Sequence, residues 1–133
     1  MKRFNVRAYG IWLNESGEVL VSDEKIKGQR IIKFPGGGLE LGEGLIDGLK
    51  REWKEELSIA VAISEHFYTT DFFQPSAWDD SQVISVYYKV QPLEYIPIPY
   101  YNGSEHFYFV PVDAALESLL SLPIDKVVAR KLL

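Results

Sequence analysis

Residues Phe34 to Ile59 read FPGGGLELGEGLIDGLKREWKEELSI, a triple-glycine turn running into an acid-rich segment. Gly36, Gly37 and Gly38 follow Pro35, so the backbone can turn sharply and approach a ligand with no side chain in the way. From about Gly44 to Leu57, Leu45, Leu49, Trp53 and Leu57 recur at every fourth position. That period predicts a helix with one buried stripe. Trp53 continues the stripe, so core packing rather than substrate stacking is the expectation for its ring. At roughly 100° of rotation per residue, Glu52, Glu55 and Glu56 fall in a narrow arc beside the stripe. Carboxylates crowded in this way repel one another unless a cation lies among them. Magnesium suits the role, because it takes a few carboxylates and leaves its other positions to water and substrate phosphates.

Taken alone, LKREWKEEL also reads as a solvated helix with i,i+4 pairs between Glu and Lys or Arg, the usual meaning of such a charge pattern. The glycine turn at this distance, Glu43 at the helix start and Arg51-Glu52 ahead of Glu55-Glu56 favour a phosphate site instead. These residues resemble the Nudix signature, G-x5-E-x7-R-E-U-x-E-E-x-G-U, with U a bulky hydrophobic residue. Gly37, Glu43, Arg51, Glu52, Trp53, Glu55, Glu56 and Ile59 stand at its positions, and Phe34-Pro35-Gly36-Gly37 looks like the family's lead-in. Ser58 departs from the pattern by replacing the second glycine. A left-handed conformation is common just past a helix, so Ser58 should cost roughly 1 kcal/mol or shift the cap geometry.

The resemblance implies an α/β fold, an α/β/α sandwich with a mixed β-sheet and a catalytic loop-helix-loop. It implies that Glu52, Glu55 and Glu56, with the Gly37 carbonyl, bind Mg²⁺, with Mn²⁺ as a substitute, as one tightly held ion or a cluster of two or three. Glu43 and Arg51 would support the loop and helix through a charged hydrogen bond. Glu52 and Glu105 are alternative acceptors for the proton of the attacking water. The implied reaction is hydrolysis of a pyrophosphate bond in a nucleoside diphosphate linked to another moiety, of the nucleotide or nucleotide-sugar type, ADP-ribose included. A noncatalytic nucleotide or sugar-nucleotide sensing module is the alternative, and retention of every acidic signature position favours the enzyme.

The chain has 133 residues, 47% of them hydrophobic, which suits a single domain over residues 1–133 with one core. Zero cysteines exclude disulfides and thiolate metal sites. No apolar run approaches a membrane span, and MKRFNVRAYG lacks the apolar stretch of a secretory signal, so the expectation is a cytoplasmic protein without a membrane partner. A net charge of -5 argues against general nucleic-acid binding, which rests on clustered Lys and Arg. The expected partner is a small nucleoside diphosphate derivative, with monomer and homodimer both open.

Outside the signature, Val6–Leu13 and Val19–Val21 read as a hairpin around the turn Asn14-Glu15-Ser16-Gly17. Further strands are expected at Arg30–Lys33, Ile59–Thr70, Val83–Val90 and Phe107–Val112. Asp113 can cap a helix carrying Ala115, Leu116, Leu119 and Leu120, and Pro123 can open a last one with Ile124, Val127, Val128 and Leu132 on one side. His106 could orient substrate or be merely exposed or structural. The segment Phe72 to Asp80 faintly resembles a proline-containing stretch of ADP-ribose hydrolysing relatives, although Pro75 can simply shape a turn and Asp79-Asp80 can simply be solvated. Tyr95, Tyr100 and Tyr101 could supply a stacking ring, or belong to a rigid surface connection.

Overall fold

The computed structural model describes residues 3–133. Along these run β1 (Arg3–Ile11), β2 (Glu18–Ile26), β3 (Gln29–Lys33), β4 (Gly36–Gly38), α1 (Leu45–Leu57), β5 (Val61–Thr69), β6 (Ser81–Pro92), β7 (Tyr100–Tyr101), β8 (Glu105–Pro111), α2 (Leu116–Leu119) and α3 (Pro123–Leu132). The fold is α/β, as the sequence predicts. One sheet has the order β4-β1-β6-β5, with β1 and β6 parallel and the flanking pairs antiparallel. The second, β3-β2-β8-β7, is antiparallel throughout.

Helices cover both faces of the strands. Val19, Leu20 and Val21 are consecutive and all fully buried, which a strand permits only when both its faces are covered. Val19 and Val21 pack with Tyr9, Phe34 and Tyr87 against Leu116, Leu120, Ile124 and Val128 of the C-terminal helices. Leu20 turns the other way, joining Ala8 and Phe107 against Leu49, Trp53 and Leu57 of α1. Each such buried side chain stabilises by roughly 1.5–3 kcal/mol relative to exposure, so the stripe is what docks α1. Among the described residues, no helix is long and apolar enough to cross a membrane.

Four details differ from the sequence reading. The predicted hairpin exists only at its tip, where Asn14 N–H donates to the Glu18 carbonyl at 2.9 Å and Leu13 bridges Val19. Beyond it β1 and β2 part into different sheets, because β1 finds a parallel partner in β6 while β2 pairs with β3 and β8. Asp113 caps no long helix. Its Oδ1 accepts from Ala115 N–H at 2.9 Å, and α2 ends after one turn before Pro123 starts α3. The glycine turn is itself paired as β4, where Gly36 and Gly37 oppose Tyr9 and Ala8. Asp79 is not merely solvated, since its carboxylate meets Arg3 at 2.5 Å.

Ser58 keeps the geometry of the residue it replaces. It ends α1 in the left-handed region, at φ 59° and ψ 29°, with its N–H donated to the Lys54 carbonyl at 3.1 Å. A side chain is strained there, and glycine is not. Ser58→Gly should raise the unfolding free energy by about 1 kcal/mol in urea titration and leave the reaction type unchanged.

Candidate active site

The loop before α1 is held by close backbone contact and by one guanidinium. Gly36 has φ 151°, and a Cβ there would lie 2.1 Å from the Ala8 carbonyl oxygen, so only glycine fits against β1. At Gly37 a Cβ would lie 2.6 Å from the Glu52 carboxyl. The turn therefore presents bare backbone to a carboxylate. Arg51 donates through Nε and Nη2 to Glu43, the Nη2 contact being 2.8 Å, and through the same Nη2 to the Gly38 carbonyl at 3.0 Å. Its Nη1 reaches Glu52 at 3.2 Å and Glu55 at 2.9 Å. Glu43 also accepts from Glu40 N–H at 2.9 Å. These contacts hold the Glu43 carboxyl below its ordinary range, the Arg51 hydrogen bonds first among the causes. Glu43 and Arg51, expected to meet in a charged hydrogen bond, are joined by one that also reaches the loop carbonyl of Gly38.

The three glutamates of α1 are not equivalent. Glu55 is exposed and lies against Arg51. Glu52 sits over Gly37, whereas Glu56 is turned inward, and its Oε2 is buried with no hydrogen-bond partner. Among the described residues no three acidic or imidazole side chains are already gathered at metal-ligand distances. Burial pushes the Glu56 carboxyl up to about 9, with Lys33 opposing the rise and Glu105 and Glu52 adding to it. An orphaned buried carboxylate oxygen beside a second carboxylate and a side-chain-free turn is a fitting set of donors for a hard divalent cation.

Glu105 joins this cluster from the far side. It is the first residue of β8, where it is buried and its Oε2 accepts from Ser22 Oγ at 2.6 Å. It stands opposite Glu24 in the ladder. His106 points away from it, exposed, with its ring 5.0 Å from that of Tyr108, so it does not enter the site. Lys33, the last residue of β3, is the cation within the cluster. Burial alone would lower its ammonium, yet the net direction is upward because Tyr9, Glu56, Glu105 and Glu24 favour the charge.

A cavity of about 100 Å³ adjoins the cluster, lined among others by Arg7, Tyr9, Lys33, Trp78, Tyr87 and Asp125. Gln74 to Trp78 form part of its wall, so the segment singled out in the sequence does reach the site. None of Tyr95, Tyr100 and Tyr101 lines this cavity: Tyr100 and Tyr101 form β7, with Tyr100 packed against the core and Tyr101 exposed, and the exposed Tyr95 lines a separate cleft with Trp12 and Phe109. Asp125 forms the floor, fully buried, accepting from the Tyr87 hydroxyl at 2.5 Å and from Phe34 N–H at 3.3 Å. Burial lifts its carboxyl to about 6 against these hydrogen bonds. Sequence reasoning missed Asp125, because an acid in the first turn of a helix ordinarily signals only a favourable dipole. It missed Lys33 and Arg7 as well. A lysine closing an apolar strand just before the glycine turn was the available signal.

The NUDIX domain family model matches residues 3–131, so the chain belongs to the NUDIX family. It is a Nudix pyrophosphohydrolase by class. Among solved structures, a MutT protein from Methanosarcina mazei Go1 superposes with a TM-score of 0.77 at 19% identity, over 98% of this chain and 94% of that one. A NUDIX hydrolase from Nitrosomonas europaea gives 0.76 at 16% identity, over 96% and 88%. An ADP-ribose pyrophosphatase from Streptococcus suis 89-1591 gives 0.66 at 20% identity, over 96% and 86%. At these identities the likeness is one of fold. A comparison with curated protein sequences returns no match.

Two outcomes follow from the geometry. Gly37→Ala should displace the Glu52 carboxylate, the mobile end of the contact, and so lower turnover while the thermal midpoint changes little; a large fall in that midpoint would show that the backbone moved instead. Asp125 titrates at about 6 when folded against 3.8 in its reference state, so ionisation lowers stability as pH rises through that window and no further above it. Relative to Asp125→Asn, the wild-type protein should lose up to about 3 kcal/mol of unfolding free energy between about pH 4 and pH 7, measured by urea titration.

Proposed function

We propose that this protein hydrolyses a pyrophosphate bond in a nucleoside diphosphate linked to another moiety, with magnesium as cofactor and manganese as a substitute. The observation that carries this reading is the partnerless, buried Oε2 of Glu56 beside Glu52 and the glycine turn. Glu52, Glu55 and Glu56, with the Gly37 carbonyl, would hold the metal, Glu55 turning from Arg51 to do so. When bound, a divalent ion polarises phosphoryl oxygens and lowers the pKa of a coordinated water.

The chain's own residues supply the rest. Arg51 and Glu43 fix the turn against α1, so that Gly37 and Glu52 keep one relative position. Ser22 occupies one oxygen of Glu105 and leaves the other free to take the proton of the attacking water. Glu52 is the second candidate for that step. The cavity walled by Tyr9, Trp78 and Tyr87 would take the nucleoside, with Asp125 as a hydrogen-bonding group at its floor. Nucleotide and nucleotide-sugar diphosphates fit this division, and the likeness to a structure described as an ADP-ribose pyrophosphatase supports ADP-ribose among them. Residues 3–133 would act as one domain that contains the whole site.

Glu56→Gln removes a ligand with little change of shape. Metal-dependent turnover should fall about 100-fold or more, while the thermal midpoint of the metal-free protein at neutral pH changes little, because a carboxyl pushed up to about 9 is already protonated there. The assay uses purified protein with magnesium against ADP-ribose, nucleoside triphosphates, sugar nucleotides and dinucleoside polyphosphates, with products identified. Equal turnover in the variant would remove Glu56 from the metal site, and no magnesium-dependent cleavage of any of the four classes would overturn the proposed function.

A further inference from the structure

Lys33 and Arg7 project from different sheets into the same place. Lys33 closes β3 and Arg7 lies in β1, and both line the cavity. The Lys33 Nζ is 5.8 Å from the Tyr9 ring centroid, and the Arg7 Cζ is 5.6 Å from it. Lys33 faces the carboxylates of Glu24, Glu56 and Glu105, while Arg7 feels those of Glu52 and Asp125. The two cations therefore stand at the border between the carboxylate cluster and the cavity.

Their donors are largely uncommitted. The side chain of Lys33 is only 6% exposed, yet its ammonium makes no hydrogen bond among the described residues, its nearest anion being Glu24 Oε1 at 3.9 Å. Arg7 spends Nε on the Tyr9 hydroxyl at 2.6 Å, and neither of its Nη atoms donates a hydrogen bond among the described residues. A buried ammonium and a half-buried guanidinium with free donors lack acceptor oxygens, and a bound oxyanion supplies them.

We propose that Arg7 and Lys33 form a phosphate-oxyanion subsite that grips the substrate's pyrophosphate between the carboxylate cluster and the nucleoside cavity. The proposal rests on the hydrolase reading for the ligand's identity, but not for its test. Across that border the carboxylates hold the metal side of the diphosphate, and the two cations hold the oxygens turned toward the nucleoside. The alternative role for Lys33 is a counter-ion that only relieves repulsion among Glu24, Glu56 and Glu105.

Calorimetry with methylenebisphosphonate, a pyrophosphate analogue whose bridge resists hydrolysis, separates the two. Lys33→Met and Arg7→Met should each weaken bisphosphonate binding in magnesium by about 10- to 100-fold, the loss expected for one charged hydrogen bond. Lys33→Arg should retain most of it. Magnesium binding without bisphosphonate should be unchanged or tighter in Lys33→Met, since a positive charge has left the carboxylates. Bisphosphonate affinity unchanged in both Met variants would overturn the subsite, as would wild-type protein that takes up magnesium but no bisphosphonate. Bisphosphonate bound with no magnesium uptake, and lost in the Met variants, would uphold the subsite while defeating the metal reading.

Discussion

The Arg51 guanidinium is the contact on which the site's geometry depends. A loop of glycines has no side chains with which to define its own shape, and its conformational entropy is correspondingly large. Arg51 offsets that entropy from one rigid fork, binding Glu43 at one end of the loop and the Gly38 carbonyl at the other. Because Arg51 belongs to α1, the same fork ties the loop to the helix that carries Glu52, Glu55 and Glu56. The buried stripe fixes that helix against the strands. Loop, helix and core thus form one mechanical chain, with the fork as its only polar link of this multiplicity among the described residues.

Charge balance then decides how the interior is arranged. Glu24 and Glu105 face each other directly across a ladder, and Glu56 approaches them from the helix. Like charges opposite one another in a sheet destabilise it, and burial worsens the repulsion. Lys33 compensates in part, from a register position opposite Ser22, the residue that holds Glu105. Burial raises the Glu56 carboxyl, and one ammonium among three carboxyl groups does not offset that rise, while its Oε2 has no partner. A fold that keeps such a deficit in its interior is poised for a cation.

The signature helix was legible because period, turn and charge all acted locally. Leu49, Trp53 and Leu57 are buried as the stripe requires, Pro123 opens α3, and Glu43 meets Arg51 as the family resemblance implies. What could not be read were relations between sheets. A tight turn between two strand-forming segments looks like a hairpin, yet β1 and β2 separate after its tip because β6, far along the chain, offers β1 a longer parallel ladder. The cavity exists only through that separation. Its polar residues, Arg7, Lys33 and Asp125, come from three elements distant in sequence, and each carries an ordinary local meaning that hides its tertiary one. Glu105 lay between these extremes, visible as an acid near a strand start but interpretable only once Ser22 and Glu56 are seen beside it.

The separation of the sheets also explains why the carboxylate cluster and the cavity adjoin. The Pro35 carbonyl accepts from Gly10 N–H at 2.8 Å and from the Trp53 indole at 3.3 Å, so the link between β3 and β4 is pinned to both β1 and α1. Phe34 N–H, one residue earlier, reaches Asp125 in α3. Four consecutive residues, Lys33 to Gly36, therefore touch the carboxylate cluster, the cavity floor, the signature helix and the first sheet in turn. A shift along this link would move the cavity and the glycine turn together, which keeps the distance between the cavity floor and the carboxylates of α1 fixed.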